Sequence, residues 1–397
     1  MAGSGLRQVQ IGPGKHTPFF TDAGIDFEYS RMFPTQQISF LNRWFQDISQ
    51  IRVSSLGVRG GFSGAVIWRL TLAERELCLR RWPQSHPTMG GLMAIHGLLL
   101  HLGQQGNRIV PVPLATQEGS TFIVDEDNLW ELTPWMPGEA NFSSTPTPAK
   151  LTAAMHALAD FHRQASSYNH PIRNQQFACS PGLQQRVAIL HALHQGELDR
   201  LWKATRASEL TDLREMALEL LEGIVRSIQG VTKRMEQIVE TPLPLQWCLR
   251  DVRHDHILFS EERVTGLIDF GAASVDAVSG DISRLLGSMV NDCQDSWHRG
   301  IDAYAQRRPL SIQERRVISG FDEGGVLVSA ANWVRWLFVE GRAFPQIHAL
   351  HSQLLWLRNR LQAIADRSTA SKPRSIQKPT PHIRSPEGGR ESRWMHT

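Results

Sequence analysis

Apolar positions fall into two regimes along the chain: short alternating runs in the first third, and longer helical spacings after it. Ile38, Leu41, Phe45 and Ile48 follow a helical period behind Thr35, which predicts a capped helix. From Val53 onward the period shortens. Residues 51–56, 65–72 and 76–82 read as strands, 92–102 as an apolar helix, and 109–114, punctuated by Pro111 and Pro113, as an extended loop. Residues 121–124 and 129–133 are two further strands about a turn at 125–128. After Trp135-Met136-Pro137-Gly138 the strand signal thins. Leu151, Met155, Leu158 and Phe161 share one face of a helix over 148–165, and 183–240 holds two or three more, one of them over 210–228. Strands return near 247–249, 257–259 and 264–268, and 280–366 is helical again.

This order predicts an α+β chain of two lobes, a small β-rich one and a larger helical one. Its expected divisions are an irregular extension over 1–34, a small lobe over 35–135, a helical lobe over 136–366 and a tail over 367–397. The length of 397 residues suffices for two or three domains at roughly 150 residues each.

Charge changes the picture only at the tail. From Ser368 onward six Lys or Arg face two Glu, so the tail carries +4 of the net +3 and the rest sums to −1. A body near neutrality gives no electrostatic reason to expect nucleic acid as a partner, and the tail reads as a solvated, disordered end. Four scattered cysteines (Cys78, Cys179, Cys248, Cys293) form no CxxC pair, which disfavours a zinc or disulfide framework and fits a reducing compartment. No apolar signal region opens the chain, and no run approaches the roughly 18 apolar residues of a membrane span. The expectation is a soluble, cytoplasmic protein without a membrane partner.

Candidate chemistry concentrates in Leu249-Arg250-Asp251-Val252-Arg253-His254-Asp255-His256-Ile257-Leu258 and, shortly after, Gly266-Leu267-Ile268-Asp269-Phe270-Gly271. An Asp at a loop mouth can orient a hydroxyl, and a second Asp at a strand end can hold a divalent cation. Phosphoryl transfer asks little more of side chains than positioning and charge neutralisation. These motifs resemble the catalytic loop and metal-binding triplet of the protein-kinase-like superfamily, and most closely the aminoglycoside phosphotransferase family, whose loop commonly reads HGDxHxxNIL and whose triplet sits in GLIDFG. The resemblance spans roughly residues 50–345. It implies a protein-kinase-like fold, Asp251 as catalytic base and Asp269 as magnesium ligand, with Asp281 bracing the loop beside Arg250.

In the small lobe, Arg59-Gly60-Gly61-Phe62-Ser63-Gly64-Ala65 resembles the family's phosphate-covering GGFSN-type loop, although such a cluster alone also makes a hairpin turn. By the same resemblance Arg80 is the phosphate-contacting residue. Arg81, one register away, belongs to the opposite face. Glu131, Leu132 and Thr133 open the linker whose backbone meets adenine. Trp333 and Trp336 occupy a helix that lines the acceptor pocket in related enzymes, while tryptophans at such positions also serve as core.

Three departures stand out. His256 replaces the Asn expected as second metal ligand; imidazole nitrogen suits magnesium less well than an amide oxygen, which leaves manganese as an alternative to magnesium and a phosphate contact as an alternative task for His256. Leu249 and Arg250 replace the usual His and Gly before the catalytic Asp. No acid lies between Glu76 and Glu118, so the helix after the Arg80 strand lacks the usual Glu partner, with His96 as a substitute polar contact or a packed core residue. The resemblance therefore implies an ATP-dependent kinase acting on a small hydroxylated molecule, and the departures motivate the alternative of a pseudokinase that binds nucleotide without turnover.

Overall fold

The computed structural model describes residues 37–57, 64–168, 177–344 and 346–370. The chain adopts an α+β fold of two lobes. The small lobe is a five-stranded antiparallel sheet in the order β1-β2-β3-β5-β4, formed by β1 (Arg52–Gly57), β2 (Val66–Leu72), β3 (Arg75–Arg81), β4 (Phe122–Asp125) and β5 (Asn128–Pro134). Alternation along these strands gives two unlike faces. Val66, Trp68, Leu70, Leu77, Leu79, Trp130 and Leu132 form an apolar core on one, covered by Leu41 and Trp44. Ile67, Cys78, Arg80, Glu131 and Thr133 face the cleft toward the large lobe.

The expected helix behind Thr35 differs. Thr35 lies outside the described residues, and the segment forms a single 3-10 helix, Gln37–Arg43, before turning. Its task is to lay Leu41 and Trp44 on the sheet, where the Trp44 indole donates to the Leu114 carbonyl at 3.1 Å.

Helix α1 (Met89–Gln104) is capped by Thr88 and bridges the lobes, its Ile95, Leu98 and Leu102 joining the large-lobe core. The large lobe contains α2 (Pro148–Ala165), α3 (Pro181–Ala192), α4 (Leu198–Arg206), α5 (Thr211–Glu236), α6 (Val278–Val290), α7 (Gln294–Arg307), α8 (Ile312–Phe338) and α9 (Ile347–Ala370). Helices α5, α8 and α9 share one buried core. Helix α9 runs past the expected boundary at 366, and Arg367 pairs with Asp292 at 2.7 Å. The tail beyond it and the extension before residue 37 lie outside the described residues. No described helix is long and apolar enough to cross a membrane.

Short strands carry the chemistry-bearing segments: β6 (Phe177–Ala178), β7 (Leu243–Cys248), the hairpin β8 (Ile257–Ser260) and β9 (Arg263–Leu267), and β10 (Ser274–Ala277), which pairs with β7. The turn after Pro137 is fastened to this hairpin by a Thr265 hydroxyl donating to the Pro137 carbonyl at 2.7 Å. Gly138 has φ +98°, and a Cβ there would lie 2.8 Å from the Phe259 carbonyl, so only glycine fits.

Candidate active site

Strand register decides the small-lobe side of the cleft. Arg80 lies directly opposite Glu131 in the β3–β5 pairing. Its Nε is 3.6 Å from Glu131 Oε1, its Nη1 is 3.8 Å from Asp269 Oδ1, and its guanidinium lies over the Trp82 ring at 4.6 Å. Arg81 turns to the other face, over Trp130. The acid missing from α1 is therefore supplied by β5. The helix contributes His96 instead, buried, with Nε2 2.7 Å from Glu131 Oε2 and Nδ1 2.8 Å from the Thr121 hydroxyl. Burial alone would push the Glu131 carboxyl up, but the hydrogen bond to His96 and the charge of Arg80 outweigh it and hold the group below its usual range. Glu131 is thus a buried anion that orients a cation, in place of a linker residue offering backbone to a base.

Leu132, unlike Glu131, points away from the cleft. It is fully buried in the outer core, and its carbonyl accepts from Leu114 N–H at 2.8 Å. Thr133, Pro134, Trp135 and Met136 do line the cleft, a cavity of about 270 Å³ bounded below by Leu258, Ile268, Asp269 and Phe270. Of the glycine cluster, Gly60, Gly61, Phe62 and Ser63 lie outside the described residues. Gly64 has φ +77°, a left-handed conformation that favours glycine.

On the other side, Asp251 follows β7 and Asp269 follows β9. Two N–H groups, of Leu249 at 2.6 Å and of Arg250 at 2.7 Å, donate to the buried carboxylate of Asp281, the first turn of α6 placing that carboxylate beneath the loop. His162 Nε2 approaches the same carboxylate at 3.0 Å while its Nδ1 meets the Tyr304 hydroxyl at 2.8 Å. Burial first of all drives the His162 imidazole below its ordinary value, so it is neutral. This bracing holds Arg250 at φ +63°, a conformation costly for a side chain, and the Arg250 side chain pairs with Asp276 at 3.4 Å. Asp251, about half exposed, forms an ion pair with Arg284 of α6.

Asp269 also has a left-handed φ of +64°. The Ile268 N–H donates to the His256 carbonyl at 3.0 Å, tying the two motifs together. Phe270 is buried edge-on to Phe161, and a Cβ on Gly271 would come within 2.9 Å of Trp82. His86 Nε2 meets the Gly271 carbonyl at 2.8 Å. The triplet is thus gripped by both lobes.

His256 Nε2 lies 3.6 Å from Asp269 Oδ2 and 3.8 Å from Asp255 Oδ1, while its buried Nδ1 has no hydrogen-bond partner among the described residues. An imidazole nitrogen and a carboxylate oxygen at such a separation fit two ligands of one divalent cation with metal–ligand distances of about 2.1 Å. Burial opposes the charge on Asp255, but Arg253, His256 and His254 prevail and keep that carboxyl below its usual range, so it remains anionic beside the pair. Trp333 is buried in the helical core, edge-on to Trp336 at 5.2 Å and against Phe344; Trp336 is half-buried with Arg342 over its ring. Neither lines the cleft.

An antiparallel sheet over a helical lobe, with an arginine and a left-handed aspartate meeting across the cleft between them, is the arrangement of a protein-kinase-like phosphotransferase. The chain belongs to the phosphotransferase enzyme family, whose profile matches residues 56–319. Its solved structural neighbours agree in fold. An aminoglycoside phosphotransferase from Alicyclobacillus acidocaldarius is 16% identical with a TM-score of 0.57, covering 85% of this chain and 97% of that one. Spectinomycin phosphotransferase in complex with ADP and spectinomycin is 15% identical with a TM-score of 0.61, covering 84% and 98%. A microcompartment-associated aminopropanol kinase is 14% identical with a TM-score of 0.58, covering 85% and 98%. A search of the curated proteins found no match.

Proposed function

We propose that this chain transfers the γ-phosphoryl group of ATP to a hydroxyl of a small molecule. The observation that carries the reading is the convergence of Arg80 on both Glu131 and Asp269 within one cleft, despite the absence of an acid on α1. Glu131 and His96 fix the arginine, which forks toward the phosphates; always charged, it does not rely on a neighbour to hold its proton. Thr133–Met136 and Ile67 provide an apolar slot for a base. Asp251, half-exposed on the loop after β7, receives the acceptor hydroxyl. Asp269, with His256 beside it, would hold magnesium or manganese, which neutralises charge on the β- and γ-phosphates.

A second reading, a nucleotide-binding module without turnover, is favoured by the Arg284 guanidinium that engages Asp251 and by His256 at a metal-ligand position. Thermal shift with ATP and Mg²⁺ or Mn²⁺, followed by ADP release over a panel of hydroxylated compounds, separates the two. Asp269→Ala is expected to lose metal-dependent nucleotide binding. Asp251→Ala should keep binding and lose turnover by about 10²–10⁴-fold. Binding without ADP production above the Asp251→Ala control selects the second reading, and equal loss of binding in both variants overturns the assigned roles.

A further inference from the structure

The surroundings of Asp251 are basic. Arg284 pairs with it directly, and Arg250, where the family pattern has glycine, stands on the adjacent backbone position. Arg186 of α3 completes the group. It lies over the Phe321 ring at 5.0 Å and donates from Nη1 to the Gly182 carbonyl at 2.8 Å. A Cβ on Gly182 would fall 3.1 Å from that Nη1 and 2.3 Å from Asp276 Oδ2, which places Arg186 beside the Asp276 carboxylate that holds Arg250. The nearby acids are already engaged. Asp276 accepts from Ser180, from Ala277 N–H and pairs with Arg250, while Asp281 serves the loop backbone and His162. Arg186 Nε and Arg284 Nε are buried and have no hydrogen-bond acceptor among the described residues. Burial, with repulsion from Arg284 and Arg250 against the pull of Asp276, draws Arg186 down to about 10.

Guanidinium N–H groups left without acceptors in a desolvated position are costly, and carboxylate and phosphate oxygens are the ligands whose geometry matches their fork. We propose that the acceptor is an anionic hydroxyl compound, bearing a carboxylate or phosphate near the hydroxyl to be phosphorylated, and that Arg284 and Arg186 receive this oxyanion. The proposal rests on the phosphotransferase reading and names its acceptor class. A cationic acceptor would find Asp251, Asp276 and Asp281 already engaged by arginine, backbone N–H or histidine partners. Arrival of the oxyanion draws Arg284 from Asp251, leaving that carboxylate free to take the hydroxyl proton. The acceptor oxygen then forms its bond to the γ-phosphorus as the bond to the β–γ bridging oxygen breaks, ADP leaves with that electron pair, and the proton passes from Asp251 to solvent.

The test compares ADP release by the full chain with glycerate and glycerol 3-phosphate against glycerol, and against ethanolamine, choline and kanamycin. Anionic acceptors are expected to exceed their neutral counterpart by tenfold or more in kcat/KM. Arg284→Gln should cut that ratio by about tenfold, and glycerate and glycerol 3-phosphate distinguish carboxylate from phosphate recognition. Preference for glycerol or for the cationic compounds overturns this inference while sparing the phosphotransferase reading. Absence of ATP binding overturns that reading instead. Should the chain bind ATP yet turn over no member of the panel, thermal shift by glycerate and by inorganic phosphate on protein saturated with ADP and Mg²⁺ decides. A shift lost in Arg284→Gln supports the oxyanion site, and no shift, or one unchanged in the variant, overturns it.

Discussion

Glu131 and His96 divide between a strand and a helix what one helical glutamate does elsewhere in the superfamily. The strand acid reaches Arg80 at 3.6 Å and is itself held by an imidazole 2.7 Å away. Glu131→Gln keeps the shape and removes the charge. The expected outcome is an ATP KM raised about tenfold, on the order of 1.4 kcal/mol, with kcat less affected, measured by steady-state ADP release. Combining it with His96→Glu returns the acid to the helix, and the pair should recover most of that loss. A double variant worse than Glu131→Gln alone would show that the histidine supports the strand acid by shape rather than charge. The sequence could place Arg80 and display the gap on the helix. It could not pair residue 80 with residue 131, because that contact depends on the β3–β5 register, which no local pattern encodes. The Arg284–Asp251 pair was hidden for the same reason, being a contact between a loop and a helix.

At the scale of elements, the loop after β7 is held by what lies under it. Asp281 accepts two backbone N–H groups and the His162 imidazole within a fully buried environment. Asp281→Ala would leave all three donors unsatisfied and is expected to cost about 3–5 kcal/mol in urea unfolding, with turnover lost. Asp281→Asn, which keeps an acceptor oxygen, should cost less than Asp281→Ala. Long periodic elements were legible: the helix expected over 148–165 is α2, and the alternation in 65–82 separates the cleft-facing residues from the core. Short ones were not. Ser274–Ala277 pairs with β7 yet is too brief to carry a period, and α5 continues to Glu236, well beyond the expected end near 228. There Ser227, Val231 and Met235 extend the buried face after polar residues have diluted the signal.

For the whole molecule, buried histidine links folding to pH. His162 is enclosed by Asp281, Tyr304, Arg308 and Glu314, and burial outweighs the attraction of Asp281 to keep its value below 6.5. The unfolded chain therefore binds a proton that the folded chain refuses. Stability is unaffected well above pH 6.5 and falls as pH drops through it, by up to about 1.4 kcal/mol per pH unit from this residue. His162→Gln, although less stable at neutral pH, should show a flatter decline between pH 7 and pH 5 in denaturant titrations. A parallel decline in both proteins would mean that other groups carry the acid sensitivity. The two-lobed plan itself was visible from the change of hydrophobic period, a property of contiguous chain, while its kinase-like character was implied by the family resemblance of the motifs around Asp251 and Asp269.

The grip on Gly271 bears on how the protein could be blocked. With Phe270 seated against Phe161, Trp82 lying over the glycine and His86 on its carbonyl, the triplet is held inward by contacts from both lobes. Inhibitors that work by prising such a triplet away and occupying the vacated space would have to break these contacts first, so compounds aimed at the proposed nucleotide slot or at the arginines beside Asp251 would meet less resistance.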